Sequence, residues 1–455
     1  MARRRKQEKN VYSLPVIRPE TAGIDIGATQ IYVAIAPDRD PEPVRMFGTF
    51  TRDLRAIADW LRATGVKSVA MESTGVYWIP LYQYLESCGF EVVLVNAHHI
   101  KNVPGRKTDV RDAAWIQLLH SVGLLSGSFR PAVEICAIRA LVRHRQNLVE
   151  WSSQAILWMQ KALTQMNLQL HNVIDDITGA SGMRILRAVV KGERDREVLA
   201  SLCDKGIRAS REVIINSLEG DYRSEFLFIL EQTLQQYEDL QKRIGACEAE
   251  AARLMDELPE KVDLKEKPLP AARIRVKRRA SQPAAVPNLR EKQYRVLGVD
   301  LTAAPCINTT TVEVFLSEVG PDLSKFKNAS HFANWMGLPP NNRVTGGKRL
   351  SSKRRKVKSR MATALRVAAQ SAARSENAIG DVYRRMKSRI GPEQAITATA
   401  HKLARIIYHM VTTGEAYDES VFAKAQQKFR RNQESKLRAN AKRLGFKLIP
   451  LEEAA

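Results

Sequence analysis

The chain is poor in cysteine, and its five cysteines (Cys88, Cys136, Cys203, Cys247 and Cys306) stand far apart, in no CxxC or Cys/His cluster. That spacing excludes a zinc module and a disulfide framework, and it fits a reducing, cytoplasmic setting. Long hydrophobic runs are also missing. No apolar stretch approaches the roughly 18 residues that a membrane span needs. The basic start MARRRKQEKN leads into VYSLPVIRP, which is too short and too broken by proline for a secretory signal. Acid is scarce relative to base: 72 Lys and Arg stand against 49 Asp and Glu over 455 residues, a formal charge of +23. Such an excess points to a polyanionic partner, because neutralising phosphates releases counterions. With 44% apolar residues, the chain can bury the cores of two or three domains.

Residues 21–36, TAGIDIGATQIYVAIA, are β-branched on both sides of a short polar break and predict two strands joined by a tight turn. Further strands are expected at 44–50, 67–72 and 91–95. Leu54, Ile57, Ala58 and Leu61, then Leu81, Tyr84 and Leu85, recur at helical spacing between them. The fold class expected is therefore α/β over residues 21–130, after a basic arm at 1–20.

From about residue 131 helical patterns take over. Phe226, Leu230, Thr233, Tyr237, Leu240, Ile244, Cys247, Ala251, Leu254 and Leu258 step by four and three alternately, a heptad seam that predicts a coiled coil within 131–258. A weaker seam (Ile138, Leu141, Leu148, Ala155, Met159, Ala162, Met166) offers it a partner inside the chain, and dimerisation is the alternative. Residues 259–292, with five prolines and the run RIRVKRR, read as a basic linker. A helix-rich domain at 293–417 and a basic tail at 418–455 complete the chain.

Four carboxylates carry the first chemical signal. Asp25 interrupts an apolar strand, where an unpartnered carboxylate is costly. Glu72 ends a strand in VAMESTGVYW, and Asp109 and Asp112 lie three apart on an incipient helix in GRKTDVRDAAWI. Together they offer an all-oxygen site for Mg²⁺, with room for two ions. Singly, each has a plainer reading as a satisfied core, turn or helix-end acid. The segment GIDIGATQIYVAI also resembles the phosphate hairpin of actin-like kinases, but no second Asp-Gly phosphate loop follows it.

These motifs, together with NWMGLPPNNRVTGGKRLSSKRRKVKSRMATALRVAAQS, resemble the DEDD transposases of bacterial insertion sequences, the group that includes the Piv-type DNA invertases. The resemblance covers most of the chain. It implies a ribonuclease H-like (RuvC-like) N-terminal domain, a dimerising coiled coil and a C-terminal transposase domain with a nucleophilic serine. It also implies a structured non-coding RNA that pairs with donor and target DNA. Asp25, Glu72, Asp109 and Asp112 would form the metal-binding and catalytic tetrad. Where the family places its serine before Gly-Gly-Lys, this chain has Thr345, so the hydroxyl falls to Thr345, Ser351 or Ser352. Leu297-Gly298-Val299-Asp300 stands where the family has a Pro-Gly turn.

Residues 348–360 read as a charged helical face and hold eight cations and no acid: Lys348, Arg349, Lys353, Arg354, Arg355, Lys356, Lys358 and Arg360. Beside the hydroxyl, such a face is expected to meet DNA or RNA phosphates. His401 and His409 receive no catalytic role. The readings left open are an Mg²⁺-dependent recombinase working as a homo-oligomer, a RuvC-like nuclease that uses water, and an inactive nucleic-acid-binding relative.

Overall fold

Alternating β-branched residues on both sides of residues 27–30 give two antiparallel strands, β1 (Thr21–Ile26) and β2 (Ile31–Ile35), the turn closed by the Gly27 N–H donating to the Gln30 carbonyl at 2.8 Å. The computed structural model describes residues 14–73, 75–96, 109–272, 288–351, 353–355 and 357–446. The chain divides into two units, Met1–Arg130 and Pro131–Ala455.

In the first unit the remaining elements are β3 (Val44–Phe47), α1 (Thr51–Ala63), β4 (Ser68–Glu72), α2 (Trp78–Ser87), β5 (Glu91–Val95) and α3 (Asp109–Ser121). The five strands form one mixed sheet in the order β3-β2-β1-β4-β5. The β3, β2 and β1 neighbours run antiparallel, whereas β1, β4 and β5 run parallel. This α/β architecture is consistent with a ribonuclease H-like domain. Period-two alternation divides its faces. Ala22, Ile24, Val33, Val69 and Met71 pack with Ile57, Leu61, Leu81 and Leu85 of α1 and α2. Ala70 and Val95 look the other way, toward Ile116 of α3.

The second unit begins with α4 (Val133–Gln165) and continues through the short helices α5 (Leu170–Val173), α6 (Ala180–Val190), α7 (Arg196–Ser201) and α8 (Arg211–Ser217) to α9 (Ser224–Asp256). The long helices α4 and α9 pack antiparallel. Leu148 meets Leu240 and Ile244, Ser152 accepts from Gln241 at 2.8 Å, and Arg145 pairs with Glu248 at 2.6 Å. Thus the α9 seam meets the weaker α4 seam within the chain. Its buried line differs from the strict heptad: Leu234, Glu248 and Met255 lie inside where Thr233, Cys247 and Leu254 are expected. A straight helix repeats every 3.6 residues and drifts about 20° per heptad, which moves the inward position on by one.

Then follow α10 (Leu289–Leu297), α11 (Thr309–Glu318), α12 (Ala329–Trp335), β6 (Arg343–Thr345), β7 (Lys348–Ser351), α13 (Arg360–Ser371), α14 (Ala378–Ile390), α15 (Pro392–Thr413) and α16 (Ala423–Arg443). The residues expected as linker are tied at both described ends: the Lys261 N–H donates to the Arg295 carbonyl at 2.8 Å, and α10 starts at Leu289. The run RIRVKRR lies outside the described residues. Helix α15 is the spine of this region, with Leu403, Ala404 and Ile407 fully buried. Phe332 anchors the aromatic cluster against it, 5.2 Å from Phe326, 6.3 Å from Trp335 and 6.0 Å from Tyr408. At the α11 end, Glu318 accepts from Arg143 at 2.7 Å and Arg145 approaches Glu313 at 3.5 Å.

The basic stretch 348–360 is not a helical face. Lys348–Ser351 forms β7, and α13 starts only at Arg360, with the Ser359 hydroxyl accepting the Ala362 N–H at 3.1 Å. Glycine explains the difference. Gly346 and Gly347 both have positive φ, +54° and +76°, the signature of a two-residue hairpin turn that interrupts any helix.

Candidate functional site

Strand register brings two of the acids together. Ile24 pairs with Met71 in the parallel β1–β4 ladder, so Asp25 and Glu72, the next residues on each strand, sit side by side at the strand ends. Alternation puts both on the α3 face, with Gly23 and Ala70. Gly23 is where α3 touches the sheet: a Cβ there would fall on the Ala113 carbonyl oxygen and the Gln117 nitrogen. Only glycine admits so close a helix. Toward the other end, Gln117 donates to the Thr21 hydroxyl at 3.3 Å, and His120 Nε2 lies 2.8 Å from the Ser68 hydroxyl. Helix α3 therefore runs antiparallel to β1. Two residues along the strand from Gly23 span about 7 Å, and one turn back along the helix from Ala113 spans about 6 Å. Both steps point toward the same end of the sheet, where Asp25 and Glu72 end their strands and α3 begins at Asp109.

Asp25, Glu72 and Asp112 are half-buried. The side chain of Asp109 is outside the described residues. Among the described residues no three acidic, histidine or cysteine side chains close on one point tightly enough to hold a metal ion. The donor chemistry nevertheless fits a hard divalent cation, because the acids of neighbouring strand ends offer only oxygen. Behind them, burial pushes the His120 imidazole down to about 4, so the ring is neutral where it meets Ser68.

In the second unit Thr345 ends β6 and pairs across the turn with Lys348. It is exposed, at the tip of a hairpin whose Val344 and Leu350 are exposed too. Ser351 differs: it is half-buried, and its hydroxyl accepts the Lys353 N–H at 3.2 Å. Ser352 and Lys356 lie outside the described residues. After the hairpin the chain is pinned back on the domain. Arg354 bridges to Pro340, Arg355 donates to Asn334 Oδ1 at 3.0 Å, and Val357 covers Gly337. Lys348, Lys353, Arg354, Arg355, Lys358 and Arg360 are exposed. Burial and the neighbouring Arg354 charge lower the pKa of Arg366.

Two features escaped sequence reasoning. Gly23 looked like part of a strand, and only its contact with α3 gives it a role. Arg385, Lys402 and Arg405 belong to two helices and converge only in three dimensions, without any local motif.

Comparison with protein families matches both halves of this description. Residues 22–168 match the model for DEDD transposases of the IS110 type, which spans the sheet, α3 and all of α4. Residues 300–384 match the model described as the transposase IS116/IS110/IS902 family, which includes the Thr345 hairpin. No protein of curated function matches the chain. With one family model on each side of α9, the chain belongs to the IS110-type family of DEDD transposases, enzymes that act on DNA.

Proposed function

We propose that the chain is a site-specific DNA recombinase of an insertion sequence, cutting and exchanging strands through the Thr345 hydroxyl. The observation that supports the reading is the parallel register that sets Asp25 and Glu72 side by side at the strand ends, on the sheet face that α3 covers at Gly23. Asp25, Glu72, Asp109 and Asp112 would hold Mg²⁺. When bound, the ion supplies charge stabilisation at a phosphoryl oxygen.

The protein's own groups do the rest. Lys348, Arg349, Lys353, Arg354, Arg355, Lys356, Lys358 and Arg360 bind and orient the DNA backbone beside the hairpin. Thr345 Oγ gives up its proton to a basic oxygen, forms a bond to phosphorus, and the phosphorus–oxygen bond to the leaving strand end breaks. One phosphoester replaces another, so rejoining needs no ATP. Exposure favours Thr345 over Ser351, whose hydroxyl is engaged in the turn. The resemblance adds a structured non-coding RNA guide and a homo-oligomer, dimer or tetramer. Exposed Trp151, Leu157 and Trp158 on α4 suit such an assembly. Five unpaired cysteines suit the cytoplasm. No helix among the described residues is long and apolar enough to cross a membrane.

The test is trapping of a protein–DNA adduct. Thr345→Ser keeps the adduct and strand exchange, whereas Thr345→Ala loses both. Cleavage by Thr345→Ala without an adduct would instead make the chain a nuclease that uses water. Cleavage unaffected by chelation or by Asp109→Asn would remove the metal role.

A further inference from the structure

A cavity lies between α14, α15 and the chain leading into α16, with Asn342, Lys353 and Arg354 from either side of the Thr345 hairpin on its wall. It is a cleft of about 1490 Å³. Cations crowd its wall: Arg385 from α14, Lys402 and Arg405 from α15, and Lys353 and Arg354 from the segment after β7. Among the described residues none of these five forms an ion pair with a carboxylate. Three acids also line the cleft: Asp418 is occupied by Ser420, whose N–H and hydroxyl donate to it at 2.8 and 2.7 Å, Glu415 faces His409 at 3.5 Å, and Glu393 stands in the first turn of α15. Burial and the like charges of Arg405 and Arg385 lower the pKa of Lys402, and burial with Arg405 and Lys402 lowers that of His401. Folding has thus assembled cations that repel one another, an arrangement an arriving anion relieves.

The rest of the wall is apolar. Met386, Ile406, Met410 and Phe422 line the same cleft, and Lys402 Nζ lies 4.6 Å from the Phe422 ring centre. A simple phosphate would leave this surface unused. Duplex DNA would too, because it carries its phosphates outside and stacks its base faces within. An unpaired strand presents both together, charged phosphates and flat apolar bases.

We infer that this cleft binds an unpaired segment of nucleic acid strand, its phosphates on Arg385, Lys402 and Arg405 and its bases against the apolar wall. The inference rests on the proposed reading for the class of ligand, but not on Thr345 or the acids. Its test therefore measures binding alone. Full-length protein in EDTA is titrated with fluorescent oligonucleotides of about ten nucleotides, as unpaired DNA, unpaired RNA and duplex DNA of one sequence.

Arg385→Ala/Arg405→Ala is expected to weaken unpaired-strand binding at least about tenfold and to flatten the dependence of log K on log salt by about 1.4, two single-strand phosphate contacts. Arg385→Lys/Arg405→Lys restores most of the salt slope, separating lost charge from misfolding. Tighter binding of DNA identifies the exchanged strand as occupant, and tighter binding of RNA identifies the guide. The inference is overturned if duplex binds as tightly and suffers the same loss, if the alanine pair binds like the unsubstituted protein, or if the exposed pair Lys205→Ala/Arg208→Ala costs as much. Failure of the Thr345 adduct test with the cleft result intact would overturn the recombinase chemistry alone.

Discussion

The two regions offered here for catalysis are built by opposite means. Asp25 and Glu72 stand on neighbouring parallel strands of a five-stranded sheet, and α3 lies so close above that only glycine fits beneath it. Thr345 stands on an exposed two-stranded hairpin closed by two glycines of positive φ. Fixed carboxylates suit a task in which charge must be positioned before the substrate arrives. A hydroxyl proposed to approach phosphorus in line can sit on a projecting turn. On the proposed reading, rigidity belongs to the acids and reach to the nucleophile.

That contrast can be broken from either side. The largest effect is expected from Asp25→Asn, which keeps the shape of the acid and removes its charge: strand cleavage should fall on the order of 10³-fold with melting unchanged. A smaller loss would mean that Asp25 is a structural acid. Next comes Gly23→Ala. Its methyl meets backbone atoms of α3 that cannot turn aside, so a stability loss of about 3 kcal/mol is expected in thermal unfolding. An equally stable variant would show that α3 is free to lift off β1.

Acid should act on the first unit through His120. Its folded pKa of about 4 lies below the 6.5 of the free imidazole, so the unfolded chain binds more protons between those values. The stabilisation is therefore present above about pH 6.5 and lost as pH falls toward 4, on the order of 3 kcal/mol. Melting curves of unsubstituted protein and His120→Gln across this window should converge at low pH. The smallest effect belongs to the hairpin. Gly347→Ala places a side chain at φ +76°, costing about 1 kcal/mol locally. Amide exchange around Lys348 should quicken while the global melting temperature holds. A global shift would mean that the turn is part of the core and not a projection.

Much of the first unit was legible in the sequence. Period-two runs around Asp25 and Glu72 gave the strands, and the Leu54–Leu61 spacing gave α1, because sheet and helix faces with one buried side leave strong periodic traces. The second unit was less transparent, for three separate reasons. Strict heptad stepping falls on Cys247, whereas Glu248, one residue on, lies buried against Arg145. The alternation of Val344 and Leu350 around Gly346-Gly347 was a hairpin signal, overshadowed by the cations that followed it. Arg385 and Arg405 meet only because α14 and α15 pack together. Of the acids, the sequence supplied the residue types; their adjacency came from a parallel register that connects residues 47 positions apart.

The Arg145 position also bears on how the helices of the second unit are aligned. One guanidinium on α4 meets Glu248 of α9 and Glu313 of α11, and Arg143 holds Glu318 nearby. Such paired charges define one alignment more than they add stability, since a slip of either helix would leave a charge stranded. From Arg145 to Gln165, the end of α4, twenty residues of helix make an arm of about 30 Å. The alignment set at Arg145 is therefore carried along the packed pair to the short helices α5 to α8, which share one core with the far part of α4.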